Sequence, residues 1–119
     1  MKQSSIIIDV QLDEHKVPHE IWWNASDSTA DDKQIARAML LSFWDPTDKA
    51  ALRIDLWTKN MMVDEMVDFF YQSFMGMADT LERSTGQKEL VHDFRHFAKD
   101  FFKKFQALQQ GQNPTPPSP

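Results

Sequence analysis

Apolar and polar residues alternate near the start of the chain, as they do in a strand that buries one face. The apolar positions of this first stretch are Ile6, Ile8, Val10 and Leu12. A polar connection of hairpin length follows, and a second strand-like stretch occupies residues 19–25. The pattern predicts two antiparallel strands, over residues 4–12 and 19–25.

The next apolar region, residues 36–44, is apolar at both alternating sets of positions. A strand of this kind belongs in the middle of a sheet or beneath a partner, and a short helix is the alternative interpretation. The turn sequence DPTD at residues 45–48 and the alternation of Leu52, Ile54 and Leu56 favour a hairpin. We therefore predict strands over residues 36–45 and 50–58, after a polar loop at residues 26–34.

Beyond residue 59 the apolar period changes from 2 to 3.6, which predicts helices. The first helix is predicted over residues 62–84, with Asp64 and Glu65 in its first turn and Gly86 as its stop. The second is predicted over residues 87–109. Its apolar stripe comprises Leu90, Phe94, Phe97, Phe101, Phe105 and Leu108, with Val91, Ala98 and Phe102 at the edge.

The first helix carries apolar residues over more than half of its circumference. Its main stripe comprises Met66, Phe69, Phe70, Ser73, Phe74, Met77 and Leu81. A second strip, more than about 100° away around the axis, comprises Val67, Tyr71, Met75 and Ala78. A helix with so wide an apolar surface must contact two neighbours. One is the sheet, and the other is the second helix, another subunit or a binding partner.

Length and composition place these elements in one domain. A chain of 119 residues, 41% of them hydrophobic, fits a single domain with one core. We predict an α+β domain over residues 1–110, with a four-stranded antiparallel meander sheet packed against two long C-terminal α-helices. Residues 111–119 are rich in proline and hold no other apolar side chain, so we expect a disordered tail.

Charge and cysteine content argue against several classes of function. The net charge is −5 and the pI is about 5.2, which disfavours nucleic acid and anionic lipid because both attract clustered Lys and Arg. The absence of cysteine excludes disulfide scaffolds and thiol nucleophiles and fits a reducing compartment. No apolar run has the length of a signal-peptide core or a membrane helix. We therefore expect a cytoplasmic protein that does not insert into a membrane.

No combination of residues predicts catalysis, a metal site or a cofactor site. His92 and His96 share a helix face, but a metal site needs further ligands and no Glu follows His92. His15 and His19 flank a turn, where an ordinary polar surface is the simpler interpretation. The three glycines lie too far apart for a phosphate-binding loop. We expect no enzymatic activity and no cofactor.

Side chains that the predicted core does not bury indicate where a binding function could reside. If Ile8, Ile21 and Ile54 face the helices, an outer sheet face rich in Trp and Arg remains, and this is the composition of interface hot spots. The candidate interface comprises Trp22, Trp44, Arg53 and Trp57 of the sheet and Val67, Tyr71 and Met75 of the first helix. Its occupant is either a partner protein or a second copy of the chain.

Methionines between residues 61 and 77 support an alternative function. Flexible Met side chains suit surfaces that accept many partners. A chaperone or escort that binds client segments in an apolar groove is therefore the alternative to a dedicated partner-binding protein. Methionine as ordinary core filling explains the same residues without any function.

Four short runs carry a resemblance to a known family. They are LSFWD at residues 41–45, LRIDLWTK at 52–59, VDEM at 63–66 and MADTLER at 77–83, the last followed by Thr85 and Gly86. In this order and spacing they resemble the gliding motility protein GldC family, from the first strand through the second helix. The resemblance implies a small accessory protein of bacterial gliding motility inside the cell, with a protein partner in the gliding machinery. It implies no catalytic residue.

Overall fold

The computed structural model describes residues 1–26 and 32–112, with side chains as far as residue 110. The chain forms two compact units, Met1–Met61 and Met62–Pro119, which we call the strand unit and the helix unit. Within the described residues the strand unit holds five β-strands and the helix unit two α-helices. The predicted order of strands before helices is confirmed. Residues 27–31 of the predicted loop and 113–119 of the predicted tail lie outside the described residues.

Three antiparallel strands form the first sheet of the strand unit. They are β1 (Ile6–Leu12), β2 (Pro18–Ala25) and β3 (Gln34–Ala36), in the order β1-β2-β3. Ile21 of β2 pairs with Val10 of β1 and Ala36 of β3, so the three share a face. Ile21 is almost completely buried, which identifies this face as the buried one.

Asp13 closes the turn between β1 and β2. Its Oδ1 accepts hydrogen bonds from the backbone N–H groups of His15 at 2.8 Å and Val17 at 3.0 Å. The same carboxylate forms an ion pair with Lys59, a residue that lies beyond all five strands in the sequence. The Lys59 ammonium, followed by the backbone N–H groups, lowers the pKa of Asp13 to about 2. Asp13 therefore stays charged at neutral pH and ties two distant parts of the strand unit together.

Two further strands form a separate antiparallel sheet, which we call the β4–β5 hairpin. They are β4 (Ala38–Asp45) and β5 (Ala50–Trp57). Leu41 pairs with Ile54 at the centre of the hairpin. The turn is fixed by Asp45, whose Oδ1 accepts a hydrogen bond from the Thr47 N–H at 2.9 Å. The turn predicted from the DPTD sequence is confirmed.

The prediction of a single four-stranded meander is wrong. The segment predicted as one strand over residues 36–45 extends back to Gln34 and bends at Arg37, so that β3 pairs with β2 and β4 pairs with β5. Thr58 holds the bend, because its N–H donates to the Arg37 carbonyl oxygen at 2.8 Å. A strand that bends can leave one sheet and enter another. The short helix considered for residues 36–44 is also wrong.

The helix unit consists of α1 (Val63–Thr85) and α2 (Lys88–Gln112). At the start of α1 the Glu65 carboxylate accepts a hydrogen bond from the Met62 N–H at 3.1 Å, which satisfies one exposed donor. Beyond its end Gly86 has a φ of 66°, and its N–H donates to the Glu82 carbonyl at 2.9 Å. The predicted stop at Gly86 is confirmed, because glycine enters this left-handed region at little cost.

Small residues and aromatic rings occupy the contact between α1 and α2. Ala78 of α1 and Ala98 of α2 are fully buried. The Phe74 ring of α1 lies 6.0 Å from that of Phe94 and 5.4 Å from that of Phe101 on α2, between ring centroids. Small side chains allow close approach of the helix backbones, and the rings contribute large apolar contact areas.

The buried face of α2 is rotated from the predicted stripe. Leu90 and Phe97, within that stripe, are 57% and 56% exposed, whereas Val91 and Ala98, predicted at its edge, are buried. The prediction followed the largest side chains. The helix contact includes Phe94 and Phe101 of the stripe, but Val91 and Ala98 are the most completely buried, because smaller side chains let the two backbones come together.

Arg95 joins the two helices by charge. Its Nη2 donates to Asp79 Oδ1 at 2.7 Å and to Glu82 Oε1 at 3.2 Å. These two carboxylates raise the pKa of the Arg95 guanidinium, which remains protonated. The side chain therefore acts as a cross-link between α2 and the last turns of α1.

Candidate functional site

One face of the β4–β5 hairpin carries three consecutive apolar pairs, followed by the Asp45–Ala50 pair beside the turn. Directly opposed residues of an antiparallel pair share a face, which places three apolar pairs together. These pairs, which we call the hairpin apolar face, are Met39–Leu56, Leu41–Ile54 and Phe43–Leu52. Phe43, Leu52 and Ile54 are 58%, 54% and 51% exposed. Contiguous apolar surface of this kind is typical of interaction sites.

The opposite face of the hairpin mixes aromatic and charged side chains. Its pairs, which we call the hairpin mixed face, are Ala38–Trp57, Leu40–Asp55, Ser42–Arg53 and Trp44–Ala51. Trp44 and Trp57 are 67% and 58% exposed. Because Trp44 pairs with Ala51, the two Trp residues lie six positions apart along the hairpin, which is about 20 Å. They share a face without forming one cluster.

Arg53 lies between these two tryptophans and is bound by its neighbour on the same strand. Its Nε and Nη2 donate to the Asp55 carboxylate at 3.1 and 3.2 Å. Both side chains are exposed, at 49% and 37%, and an exposed ion pair contributes little to stability because water screens it. The pair therefore presents one positive and one negative group to whatever approaches this face.

Trp22 lies in the other sheet. It pairs with Asp9 of β1 and Ile35 of β3 and is half-buried. The sequence placed Trp22 and Trp57 on one sheet face because it predicted a single sheet. In the structure the candidate sheet residues divide between two sheets, and Trp44, Arg53 and Trp57 remain together on the hairpin mixed face.

The candidate residues of α1 lie on a strip that contacts α2. The Tyr71 ring stacks on the Phe102 ring of α2, with centroids 4.5 Å apart and planes 18° apart. Ala78, on the same strip, is fully buried. Val67 and Met75 are half-buried. Of the neighbours predicted for this strip, the second helix is the one that Tyr71 contacts.

A basic cavity lies along α2. It measures about 180 Å³ and is lined by Lys88, His92, Arg95, His96 and Lys99. His96 Nε2 lies 3.2 Å from Asp100 Oδ2, and the His92 and His96 rings are stacked with centroids 6.5 Å apart. Among the described residues, no three His, Asp or Glu side chains converge as metal ligands would.

A second cavity lies beside the bend at Arg37 in the strand unit. It measures about 300 Å³, and its lining includes His19, Glu20, Arg37, Thr58 and Asn60. The Thr58 hydroxyl donates to Asn60 Oδ1 at 2.5 Å and lies 3.3 Å from the Arg37 carbonyl oxygen. Thr58 and the Arg37 carbonyl hold the bend, so the hydrogen bonds of these two residues have a structural explanation.

The hairpin apolar face is absent from the surfaces predicted from the sequence. Its Phe43, Leu52 and Ile54 side chains are each more than half exposed. The sequence contained a signal for this face, because residues 36–44 are apolar at both alternating sets of positions. In a two-stranded hairpin such a strand cannot lie in the middle of a sheet, so its apolar side chains emerge on both faces.

Comparison with known proteins connects these surfaces to a family. A family model described as gliding motility-associated protein GldC-like matches residues 18–107. The chain belongs to the GldC-like family. The matched range begins at the first residue of β2 and covers the hairpin and α1, so the resemblance noted from the short runs is confirmed. No curated protein and no solved structure matches the chain.

Membership in the GldC-like family associates this chain with gliding motility. Within residues 1–26 and 32–112, neither helix combines the length and the apolar character needed to cross a membrane.

Proposed function

We propose that this GldC-like chain is a non-enzymatic accessory protein of bacterial gliding motility that binds a protein of the gliding machinery. The observation that carries the proposal is the exposure of Trp44 and Trp57 on the hairpin mixed face, with the Arg53–Asp55 pair between them. Large, rigid aromatic side chains and arginine supply much of the binding energy of protein interfaces. The absence of cysteine is compatible with action in the cytoplasm.

The non-enzymatic part of the proposal is supported by the described groups whose pKa values are clearly shifted. Strongly shifted pKa values often mark catalytic sites. The two described groups with clearly shifted pKa values are Asp13, which stays ionised, and Arg95, which stays protonated. Asp13 closes a turn and Arg95 links two helices, so both shifts have a structural cause.

Site-specific photo-crosslinking in gliding cells tests the partner. A photoreactive benzoyl-phenylalanine replaces Trp44 in one variant and Trp57 in another, and a matched variant carries it at Gln106, an exposed position of α2. We expect the same covalent adduct from positions 44 and 57 and none from 106, with mass spectrometry identifying the attached protein. Adducts that are absent from 44 and 57, or that also form at 106, would contradict the proposal.

A second test asks whether the same surface supports motility. The double variant Trp44→Ser/Trp57→Ser should spread more slowly as a colony while its melting temperature and cellular level match the wild type. Because both side chains are more than half exposed, their removal should cost little folding stability. A collapse of the melting temperature would show that these residues belong to the core and that the interface proposal is wrong.

The hairpin apolar face favours a second candidate, a chaperone for client segments. Its Phe43, Leu52 and Ile54 side chains present exposed apolar surface without charge, which suits extended apolar segments of unfolded proteins. A chaperone would suppress aggregation of a chemically denatured client, and Phe43→Ser should weaken this effect while Trp44→Ser should not. No suppression by the wild type at a molar excess would eliminate this candidate.

A further inference from the structure

The outer edge of β5 is not covered by any strand in the part of the chain that the structure describes, because β5 pairs there with β4 alone. The hydrogen bond from the Thr58 N–H to the Arg37 carbonyl continues the register of that pairing. In antiparallel sheets the hydrogen-bonded pairs alternate, so Leu41–Ile54 is another such pair. The backbone N–H and C=O groups of Arg53 and Asp55 therefore point toward the outer edge.

This edge lacks the devices that keep strand edges apart. Exposed edges are commonly protected by proline, lysine, a bulge or an inward-pointing charge. β5 spans eight residues, contains neither proline nor lysine, and pairs with β4 without a register shift. β1, at the edge of the other sheet, differs, because its pairing shifts between Gln11 and Leu12.

We propose that β5 pairs antiparallel with β5 of a second copy of this chain, around a two-fold axis at Ile54. In that register Arg53 lies opposite the partner's Asp55, and Asp55 lies opposite the partner's Arg53. Leu52 then meets the partner's Leu56. Within one copy Arg53 and Asp55 pair with each other at 3.1 Å. In the dimer each of them pairs with the opposite charge of the other copy, so neither is left unpaired. Cross-strand pairs of opposite charge and of apolar side chains both stabilise a sheet.

The charge pattern selects this register over its neighbours. An axis at Arg53 would set two arginines directly opposite each other, and an axis at Asp55 would set two carboxylates opposite each other. Like charges in opposed positions destabilise a sheet. Only the register centred on Ile54, among these three, places opposite charges together on both sides of the axis.

The pairing would also stabilise the two-stranded sheet of the hairpin. A lone hairpin is marginally stable in water, whereas three or more strands with an apolar face are stable. Joining two copies along β5 makes a four-stranded sheet, with the two hairpin apolar faces continuous on one side. The pairing uses the strand edge, so it does not depend on the motility partner proposed above.

A cysteine at the axis tests the register directly, because the chain contains no cysteine of its own. In the proposed pairing Ile54 faces its own copy in a non-hydrogen-bonded position, where Cα atoms are about 4.5 Å apart, within disulfide reach. Ile54→Cys should form a covalent dimer when the full-length chain is treated with oxidised glutathione. Leu52→Cys is the matched control, because its two copies would be about 14 Å apart along the strands.

The outcomes on non-reducing gels are clear. Fast, complete dimerisation of Ile54→Cys with little from Leu52→Cys supports the pairing and its register. Equal cross-linking of both variants, or none from Ile54→Cys, overturns it.

A charge exchange provides an independent test in solution by sedimentation equilibrium. Arg53→Asp and Asp55→Arg each place like charges opposite each other, so the dimer dissociation constant should rise about 10- to 100-fold for each variant alone. Mixing the two variants restores opposite charges at both positions, and a heterodimer should form with near wild-type affinity. The net charge of −5 becomes −5 − 2 = −7 or −5 + 2 = −3, so general attraction between the variants cannot explain their association.

Asp9→Arg is the matched control for charge, because it makes the same change on the edge strand of the other sheet and should leave dimerisation unchanged. Circular dichroism confirms that every variant is folded before it is compared. A wild-type chain that stays monomeric at all concentrations, single variants that dimerise like the wild type, or a mixture that stays monomeric would each overturn the proposal. The motility partner could still bind in all three cases, so the two proposals fail separately.

Discussion

The helix unit and the β4–β5 hairpin both carry abundant apolar side chains but bury them to different extents. Between α1 and α2, Ala78 and Ala98 are fully buried and Phe74 lies among aromatic rings of α2. In the hairpin, Phe43 and Ile54 remain more than half exposed. A helix satisfies its own backbone and needs a partner only for its side chains, whereas a two-stranded hairpin also leaves two backbone edges to be paired.

This difference separates apolar side chains that stabilise one copy of the chain from those that do not. Apolar contacts within one copy stabilise the helix unit, and the same kind of side chain in the hairpin remains exposed. The two regions can be followed separately, because the four tryptophans lie at positions 22, 23, 44 and 57, all in the strand unit. Tryptophan fluorescence therefore reports the strand unit, and far-UV circular dichroism is dominated by the helices.

The largest difference is expected from the same substitution made in each region. Phe74→Ala should lower the free energy of unfolding by about 3 kcal/mol, because it removes a ring packed against several others and leaves a cavity. Phe43→Ala should lower it by less than about 1 kcal/mol, because the side chain is mostly exposed. Urea denaturation followed by both signals measures the two values. Equal losses would show that the hairpin apolar face is covered within one copy.

Enlarging a side chain should also destabilise the helix unit more than the hairpin. Ala98→Leu should cost about 1–3 kcal/mol, because a fully buried alanine between two helices has no space for a larger side chain. Ala51→Leu, on the exposed hairpin mixed face, should change stability by no more than about 0.5 kcal/mol. Thermal and urea unfolding of both variants provide the measurement. A harmless Ala98→Leu would mean that α1 and α2 are loosely packed.

Gly76 and Gly86 of the helix unit should respond in opposite directions when each is replaced by alanine. Gly86 adopts a φ of 66°, so Gly86→Ala should destabilise the unit by about 1 kcal/mol. A Cβ at Gly76, within α1, would meet no atom within 4 Å, so Gly76→Ala should stabilise the unit by about 0.5–1 kcal/mol. Circular dichroism melts of the two variants give the sign directly. A neutral Gly86→Ala would mean that α1 ends differently in solution.

The smallest expected effect concerns pH and belongs to the strand unit. The folded pKa of Asp13 is about 2 against an ordinary value of 3.8, so its ionised carboxylate adds stability at neutral pH. That contribution declines below about pH 4 and is lost as the pH falls through about 2. The melting temperature of Asp13→Asn, followed by tryptophan fluorescence, should therefore lie below that of the wild type at neutral pH. The difference between the two melting temperatures should vanish toward pH 2. A difference that is independent of pH would exclude the Lys59 ion pair as its cause.

Local patterns in the sequence determined most of the elements of this protein. Period-2 alternation located β1, β2 and β5, the DPTD sequence located the hairpin turn, and Gly86 located the end of α1. Each of these follows from residues that are neighbours along the chain, so the physical cause is present in a short window of sequence. The four short runs likewise indicated the GldC-like family by their order and spacing alone, and the family match bears this out.

The tertiary structure decided which surfaces meet. The bend at Arg37, held by Thr58, divides the strands between two sheets and separates Trp22 from Trp44 and Trp57. A hydrogen bond between residues 21 positions apart leaves no periodic signal in the sequence. Likewise, the small Ala98 became the centre of the α2 contact, because close approach of two backbones depends on both helices at once. The sequence therefore determined the apolar strips and strands, and only the fold decided which of them remain exposed.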